Sequence, residues 1–134
     1  MCKVGDIILV DKYKHGESVL SKHSFVVLSV DDGKIQGVEY NMMCNVMGSF
    51  HNEQHKEFKL SFEGNMEVSN SETNTNPDNG KDGYIKADQL YYFRKEDLSY
   101  KVIGNVIEET LNKLIDYINE LAEKNKLVNI IDNI

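Results

Sequence analysis

The hydrophobic periodicity of the chain changes at Gly104, and this change constrains the fold more than any other feature of the sequence. Beyond it, apolar residues recur at steps of three and four, which predicts one apolar stripe along an amphipathic helix. We expect this helix over residues 105–124, with Asn105 as its N-cap and Glu108 as the capping-box partner. The stripe, which we expect to face the core, consists of Ile107, Leu111, Leu114, Ile115, Ile118, Leu121 and Ala122.

Before Gly104 the chain consists of short segments that are typical of β-strands. Residues 24–30 form a continuous apolar run, the pattern of a strand that is buried on both faces. The dipeptide Asp32-Gly33 follows as a hairpin-turn signal, and residues 14–22 are predicted to form a loop. Such strands followed by one helix predict a mainly β, α+β fold with a small curled sheet or partly open barrel. The predicted strands are 6–13, 24–30, 35–44, 57–62, 89–94 and 99–103.

The length of 134 residues allows one hydrophobic core, so we expect a single domain over residues 1–134. Residues 69–83 are rich in Asn, Ser, Thr and Asp and contain the only proline, Pro77, which predicts a mobile surface loop. Residues 127–134 are unusually apolar for a terminal segment. We expect this segment to dock on the body of the domain or on a second subunit.

The charge and the apolar content narrow the possible environments and partners. The net charge of −7 argues against sequence-blind coating of nucleic acid, which depends on Lys and Arg. No apolar run approaches the roughly 20 residues of a membrane span, and the first residues do not resemble a signal peptide. Cys2 and Cys44 have neither disulfide-framework nor metal-site spacing. We therefore expect a cytoplasmic protein without a membrane partner or cofactor.

Four segments, in this order, carry a resemblance to a known family. They are residues 3–11 (KVGDIILVD), residues 21–29 (SKHSFVVLS), residues 87–90 (ADQL) and the C-terminal amphipathic helix. Their order and spacing resemble the PemK/MazF-like toxins of bacterial type II toxin–antitoxin systems. The resemblance covers most of the chain except residues 69–83.

The resemblance implies a small SH3-like barrel of about six or seven strands, usually a homodimer. It also implies metal-independent cleavage of single-stranded RNA and neutralisation by a cognate antitoxin. In this family the site lies at the loop after the first strand, the start of the second strand and the end of the third. His23 stands where the family has its catalytic arginine, and Asn41 falls near the family's threonine or serine. The predicted RNA-binding residues are Lys12, Lys14, His15 and Lys22.

Metal-free RNA cleavage needs a base for the 2′-hydroxyl proton, an acid for the leaving 5′-oxygen, and donors or cations for the charged phosphorane. Histidine titrates near neutral pH, so His23 can serve as either base or acid. Asn41 can donate a hydrogen bond to a phosphate oxygen, although it cannot carry a proton.

Three other interpretations remain open from the sequence. A barrel with altered catalytic positions can bind RNA or a protein partner without cleaving, and an interaction protein of another kind is also compatible. His51 and His55 have i,i+4 spacing if they are helical, which can suit zinc, but no third ligand follows from the sequence.

Overall fold

A computed structural model describes residues 2–75 and 81–134. Within these ranges the chain forms eleven strands, two α-helices and short 3₁₀ turns over Asn70–Glu72 and Lys95–Asp97. In chain order the elements are β1 (Asp6–His15), β2 (Ser18–Ser29), β3 (Gly33–Ile35), β4 (Val38–Tyr40), β5 (Met42–Ser49), α1 (Glu53–Leu60), β6 (Asn65–Val68), β7 (Thr73–Thr75), β8 (Gly83–Lys86), β9 (Gln89–Phe93), β10 (Tyr100–Val106), α2 (Glu108–Glu123) and β11 (Val128–Ile130).

The main sheet has the strand order β11-β9-β5-β2-β1-β10-β7, with β8 pairing with β5 and β6. The neighbours are antiparallel except for β11 and β9, and β3 and β4 form a separate two-stranded hairpin. The prediction of a mainly β protein is confirmed. The sheet is not closed into a barrel, because its two end strands do not pair with each other, and closure requires such pairing. The SH3-like barrel of about six or seven strands that the resemblance implies is corrected to an open, nine-stranded sheet.

Two apolar clusters hold the sheet, one on each face, because alternate residues of a strand point to opposite sides. The first is centred on Phe25, whose ring contacts Tyr13, Tyr91 and Phe93 edge to face at centroid distances of 4.9, 5.2 and 5.5 Å. In the second, α2 packs its stripe against the opposite face. The buried residues of this second cluster are Ile7, Val26, Met66, Val68, Ile85, Ala87, Val106, Leu114 and Leu121.

The segment predicted as a loop over 14–22 is the tip of a long hairpin. β1 and β2 continue to pair up to His15 and Ser18, and the turn uses Gly16 with a φ of 63°. A left-handed backbone at this position suits glycine, which has no Cβ to clash. The apolar pattern stops before the tip because this part of the hairpin extends beyond the core, where mostly exposed residues carry no hydrophobic signal.

The predicted strand over 35–44 is wrong, because the sharp turn lies later than expected. Gln36 and Gly37 have φ values of 51° and 81° and connect β3 to β4. This is the left-handed pair that a tight two-residue hairpin requires. The long strand that pairs with β2 is β5, which begins after Asn41 and ends at Ser49.

The predicted strand over 57–62 is also wrong, since this segment contributes to α1 and the residues after it. Asn52 caps the helix by accepting a hydrogen bond of 2.8 Å from the backbone N–H of His55. None of the residues of α1 is buried. Phe58 and Phe62 are therefore outside the core, although their alternation suggests a half-buried strand.

The C-terminal helix is confirmed, but it begins at Glu108 rather than at residue 105. Asn105 lies in β10, and Ile107 occupies the N-cap position without a side-chain bond. Instead, the backbone carbonyl of Glu72 accepts the N–H of Ile107, and its carboxylate accepts the hydroxyl of Thr110 at 2.9 Å. A neighbouring segment of the chain thus satisfies the first turn of α2.

The apolar tail docks on the body of the domain, which is one of the two predicted alternatives. β11 adds to the sheet as a parallel partner of β9, and Ile130 is buried in the first cluster. The side chain of Asn133 exchanges two hydrogen bonds with the backbone of Lys14, so the tail also holds the long hairpin.

Part of the predicted loop over 69–83 is ordered as a 3₁₀ turn, β7 and the start of β8, while residues 76–80 lie outside the described residues. Neither α-helix of the described ranges has the length and apolar content to cross a membrane.

Candidate functional site

A cleft opens where the first half of β2 meets the end of β5. The two strands are antiparallel, with Phe25 opposite Val46 and Val27 opposite Cys44, so residues 22–24 lie beside residues 47–49. The cleft has a volume of about 320 Å³. We call it the β2–β5 cleft, and it is lined by Ile7, Leu9, Lys22, His23, Ser24, Met47, Gly48, Ser49, His51, Val68, Ser69, Thr73, Thr75, Lys81, Gly83 and Ile103.

His23 lies at the rim of this cleft and is exposed. Its Nδ1–H donates a hydrogen bond of 3.0 Å to the carbonyl of Ser21, and its ring packs edge-on against Tyr13 at 5.7 Å. This contact puts the imidazole on the same face of β2 as Phe25, whereas Lys22 and Ser24 alternate to the other face. His23 is therefore accessible, and its ring borders the cleft rather than filling it.

His51, two residues after the end of β5, brings a second imidazole to the cleft. Its ring stacks on that of His55 at 4.2 Å and 4°, and its backbone N–H donates to Nδ1 of His55 at 3.1 Å. That Nδ1 accepts and so carries no proton. Partial desolvation lowers the pKa of His55, and the positive charges of His51 and Lys59 lower it further. His55 therefore favours the neutral form.

Cations and hydroxyl groups complete the cleft. Lys22 on β2 and Lys81, just before β8, line the cleft together with Ser24 and Ser49. The Oγ1 atom of Thr75 is buried and has no hydrogen-bond partner among the described residues. An orphaned hydroxyl in the wall of a polar cleft indicates that a bound polar group can complete its hydrogen bonding.

No family model matches this sequence, and no curated protein is significantly similar to it. The resemblance to the PemK/MazF-like toxins therefore stays a prediction, and the site must be argued from its own geometry.

Asn41 is not part of the β2–β5 cleft. Its side chain donates to Glu96 at 2.8 Å and accepts from the backbone N–H of Lys95 at 2.7 Å. Met43 pairs with Ser29, which is about 20 Å along β2 from His23 at 3.3 Å per residue, and Asn41 lies two residues beyond that pair. His23 and Asn41, predicted as a catalytic pair, are not brought together. Asn41 instead borders a separate cavity of about 380 Å³ beside the β3–β4 hairpin.

The other predicted RNA-binding residues are divided between two places. Lys22 lines the β2–β5 cleft, whereas Lys12 and Lys14 line a third cavity of about 490 Å³ under the C-terminal tail. His15 shares a hydrogen bond of 2.9 Å with the hydroxyl of Tyr91 at the tip of the long hairpin. The basic cluster of the sequence therefore does not form one surface.

The strand-end residues that sequence reasoning missed are Ser49 and His51. The resemblance implies that part of the site lies at the end of the strand that pairs with the second strand. Because the hairpin turn was predicted too early in the chain, that strand end was assigned near Asn41. The N-cap pattern of Asn52 followed by Glu53 was the available signal, since a helix that starts there requires β5 to end just before it.

His51 and His55 were also considered as zinc ligands. Within residues 2–75 and 81–134, no group of three or more His, Cys, Asp or Glu side chains is arranged to hold a metal ion. The parallel stacking of the two rings, at 4.2 Å, leaves them side by side instead of converging on one point.

Proposed function

We propose that this protein is a PemK/MazF-like toxin that cleaves single-stranded RNA in the cytoplasm without a metal ion, in the β2–β5 cleft. The observation that carries the proposal is a cleft that Lys22, Ser49 and His51 line, with His23 at its rim, in an acidic protein. The first half of β2 and the end of the strand beside it correspond to two of the three positions that the resemblance implies for the site.

The chemistry assigns distinct tasks to these groups. His51 or His23 takes the proton from the 2′-hydroxyl, whose oxygen attacks the adjacent phosphorus, and the bond from phosphorus to the 5′-oxygen breaks. The other histidine donates a proton to the departing 5′-oxygen. Lys22 and the hydroxyl groups of Ser24 and Ser49 stabilise the charge on the phosphorane. The products are a 2′,3′-cyclic phosphate and a free 5′-hydroxyl.

The test is the incubation of purified protein with a long single-stranded RNA in excess EDTA. We expect fragments that end in 2′,3′-cyclic phosphate and a bell-shaped pH dependence around neutrality. His23→Ala and His51→Ala should each lower the rate by roughly 10²-fold or more, since a positioned acid or base contributes about that much.

Gln54→Ala is the matched control for His51→Ala, because Gln54 is exposed on α1 next to His55 and does not line the cleft. The control should cleave at the wild-type rate. Absence of cleavage by the wild-type protein would remove the nuclease proposal, and unchanged cleavage by both histidine variants would remove the assignment of roles.

The proposal includes the partners that the resemblance implies, a second copy of the chain and a cognate antitoxin. We further assign the antiparallel core of β10, β1, β2 and β5 to the SH3-like core of this family, in an open form. Light scattering at several concentrations tests the dimer, and co-purification with the product of an adjacent short gene tests the antitoxin.

The second candidate is a module of the same shape that binds RNA or a protein partner without cleaving it. It is favoured by His23 standing where the family has arginine and by the rim position of its ring. Salt-dependent RNA binding without cleavage products would support this alternative over the nuclease.

A further inference from the structure

Two phenylalanines form an exposed aromatic pair at the end of α1. Phe58 is 58% exposed and Phe62 is 50% exposed, and their rings meet edge to face at 5.2 Å. We call Phe58, Phe62 and Lys59 the aromatic ledge. Single exposed apolar residues are ordinary, but two large rings side by side, one on a helix that buries nothing and one just after it, suggest a surface for binding.

The cation of the aromatic ledge has no carboxylate partner among the described residues. The Nζ atom of Lys59 lies 5.9 Å from the centroid of Phe58 and 5.6 Å from that of Tyr84. Burial lowers the pKa of Lys86, and the charge of Lys59 lowers it further, so the two ammonium groups share one region. His55 has a lowered pKa partly for the same reason. Two ammonium groups in one region favour an anionic ligand.

One acidic residue near the aromatic ledge, Asp88, acts on Lys86, where its charge raises the pKa; the others are paired with other lysines or point away from Lys59. Glu67 is paired with Lys56 at 3.0 Å, and Glu63 is paired with lysines beyond the end of α2. Glu53 and Glu57 are on the same helix as Lys59. At 100° per residue, however, they project about 120° and 160° away from it.

The aromatic ledge is continuous with the β2–β5 cleft. His51 lines the cleft and stacks on His55, and Phe58 and Lys59 follow His55 by three and four residues on the helix. Residues at this spacing are neighbours on a helix surface. A chain that leaves the cleft past the stacked imidazoles therefore reaches the aromatic ledge within one helical turn, about 5.4 Å.

We propose that the aromatic ledge is a binding subsite for the nucleotides that flank the cleavage point, with bases stacked on Phe58 and Phe62 and a phosphate held by Lys59. This inference rests on the proposed function, since it extends the same RNA path. Aromatic faces with adjacent cations are how proteins hold single strands without reading sequence. An acidic peptide also matches the charge, but the continuity with a cleft of histidines and hydroxyls favours RNA.

The test measures binding separately from cleavage. A fluorescent 12-nucleotide 2′-O-methyl RNA, which lacks the attacking hydroxyl, is titrated with the full chain and followed by anisotropy. Phe58→Ala/Phe62→Ala should weaken binding by about tenfold or more, and Phe58→Tyr, which keeps the ring, should stay within about threefold of wild type. Val38→Ala, which shortens an exposed apolar side chain on the β3–β4 hairpin, is the matched control and should bind like wild type.

A second measurement tests the phosphate contact. Lys59→Gln should reduce the slope of log affinity against log salt by about 0.7, the value for one phosphate on a single strand. Lys101→Gln, an exposed lysine on β10, should leave the slope unchanged. Unchanged melting temperatures show that each variant is folded.

The outcomes separate this inference from the proposed function. If the wild type binds the RNA through the aromatic ledge but cleaves no normal RNA, the inference stands and the nuclease proposal fails. If the wild type cleaves RNA but the double phenylalanine variant binds and cleaves equally well, the inference is overturned and the nuclease proposal stands. Absence of RNA binding, or phenylalanine-dependent binding only to an acidic peptide, overturns the RNA subsite.

Discussion

The carboxylate of Glu72 clamps the start of α2, and its removal should cost more than the loss of ordinary surface hydrogen bonds. It accepts the backbone N–H of Ser69 at 2.9 Å, the hydroxyl of Ser69 at 3.1 Å and the hydroxyl of Thr110 at 2.9 Å. Thr110 is only 1% exposed, so water cannot replace the lost partner. An unpaired buried hydroxyl costs roughly 1–3 kcal/mol, and a hydrogen bond to a charged group is worth a similar amount. We expect Glu72→Ala to lower the free energy of unfolding by about 3 kcal/mol at pH 7.

A double-mutant cycle isolates the buried hydroxyl. Thr110→Val removes the hydroxyl while it keeps the shape, and it should cost about 1 kcal/mol alone. In the double variant no orphan remains, so the cost should fall short of the sum of the single costs by about 1–2 kcal/mol. Urea unfolding followed by circular dichroism, with an unchanged m-value, is the assay.

The same residue gives a pH signature. Burial acts to raise the pKa of Glu72, but the hydrogen bonds from Ser69 and Thr110 outweigh it and the net shift is downward from 4.5. A lowered folded-state pKa contributes stability that is present above the unfolded value and is lost as the pH falls through the folded value. The gap between wild type and Glu72→Ala should therefore narrow below pH 4.5. Additive costs within about 0.5 kcal/mol, or a gap that widens in acid, would refute the clamp.

Two further predictions concern the edges of the domain. Lys124 and Lys126 hydrogen-bond Glu63 and lower its pKa to about 2. The stability from this carboxylate should therefore be present above pH 4.5 and be lost as the pH falls towards 2. Over that range, the difference in melting temperature between wild type and Glu63→Gln should shrink. A Cβ at Gly104 would lie 2.0 Å from a backbone oxygen of β7, so Gly104→Ala should destabilise by about 2 kcal/mol and weaken RNA cleavage, because β7 forms one wall of the β2–β5 cleft. Val102→Ala, an exposed change on the same strand, should affect neither in urea unfolding and cleavage assays.

Strong periodic patterns predicted the correct elements, because burial imposes such patterns directly. The central strands of the sheet and the stripe of α2 are examples, since each must place apolar residues at fixed intervals against a core. The ends of an element differ from the predicted ends where a contact with another segment replaces the expected local contact. The first turn of α2 is satisfied by Glu72 from another segment, and no local pattern indicates that partner.

The errors at the candidate site have a shared physical origin. Phe58 and Phe62 are large and alternate with polar residues, so they suggested a half-buried strand, but Phe58 lies on a helix with no buried residue and Phe62 lies just after it. The Asp32-Gly33 pair was a strong turn signal, yet the chain turns at Gln36 and Gly37. Exposed residues carry no burial signal, and the turn at Gln36 and Gly37, later than predicted, is what moved the predicted strand end away from the cleft.

The pairing of β1 with β10 has a consequence for how the molecule forms. Val10 on β1 lies opposite Tyr100 on β10. β1 pairs with β2 in the long hairpin, so its second neighbour comes from about ninety residues further along the chain. The chain must lose the entropy of closing this long loop before the contact can stabilise the fold. Domains dominated by such pairings fold in milliseconds to seconds. During synthesis, the hairpin leaves the ribosome with one flank of β1 unpaired. Until β10 arrives, that flank offers unsatisfied amides and carbonyls to any extended chain nearby, which makes nascent chains of intermediate length the species most exposed to aggregation.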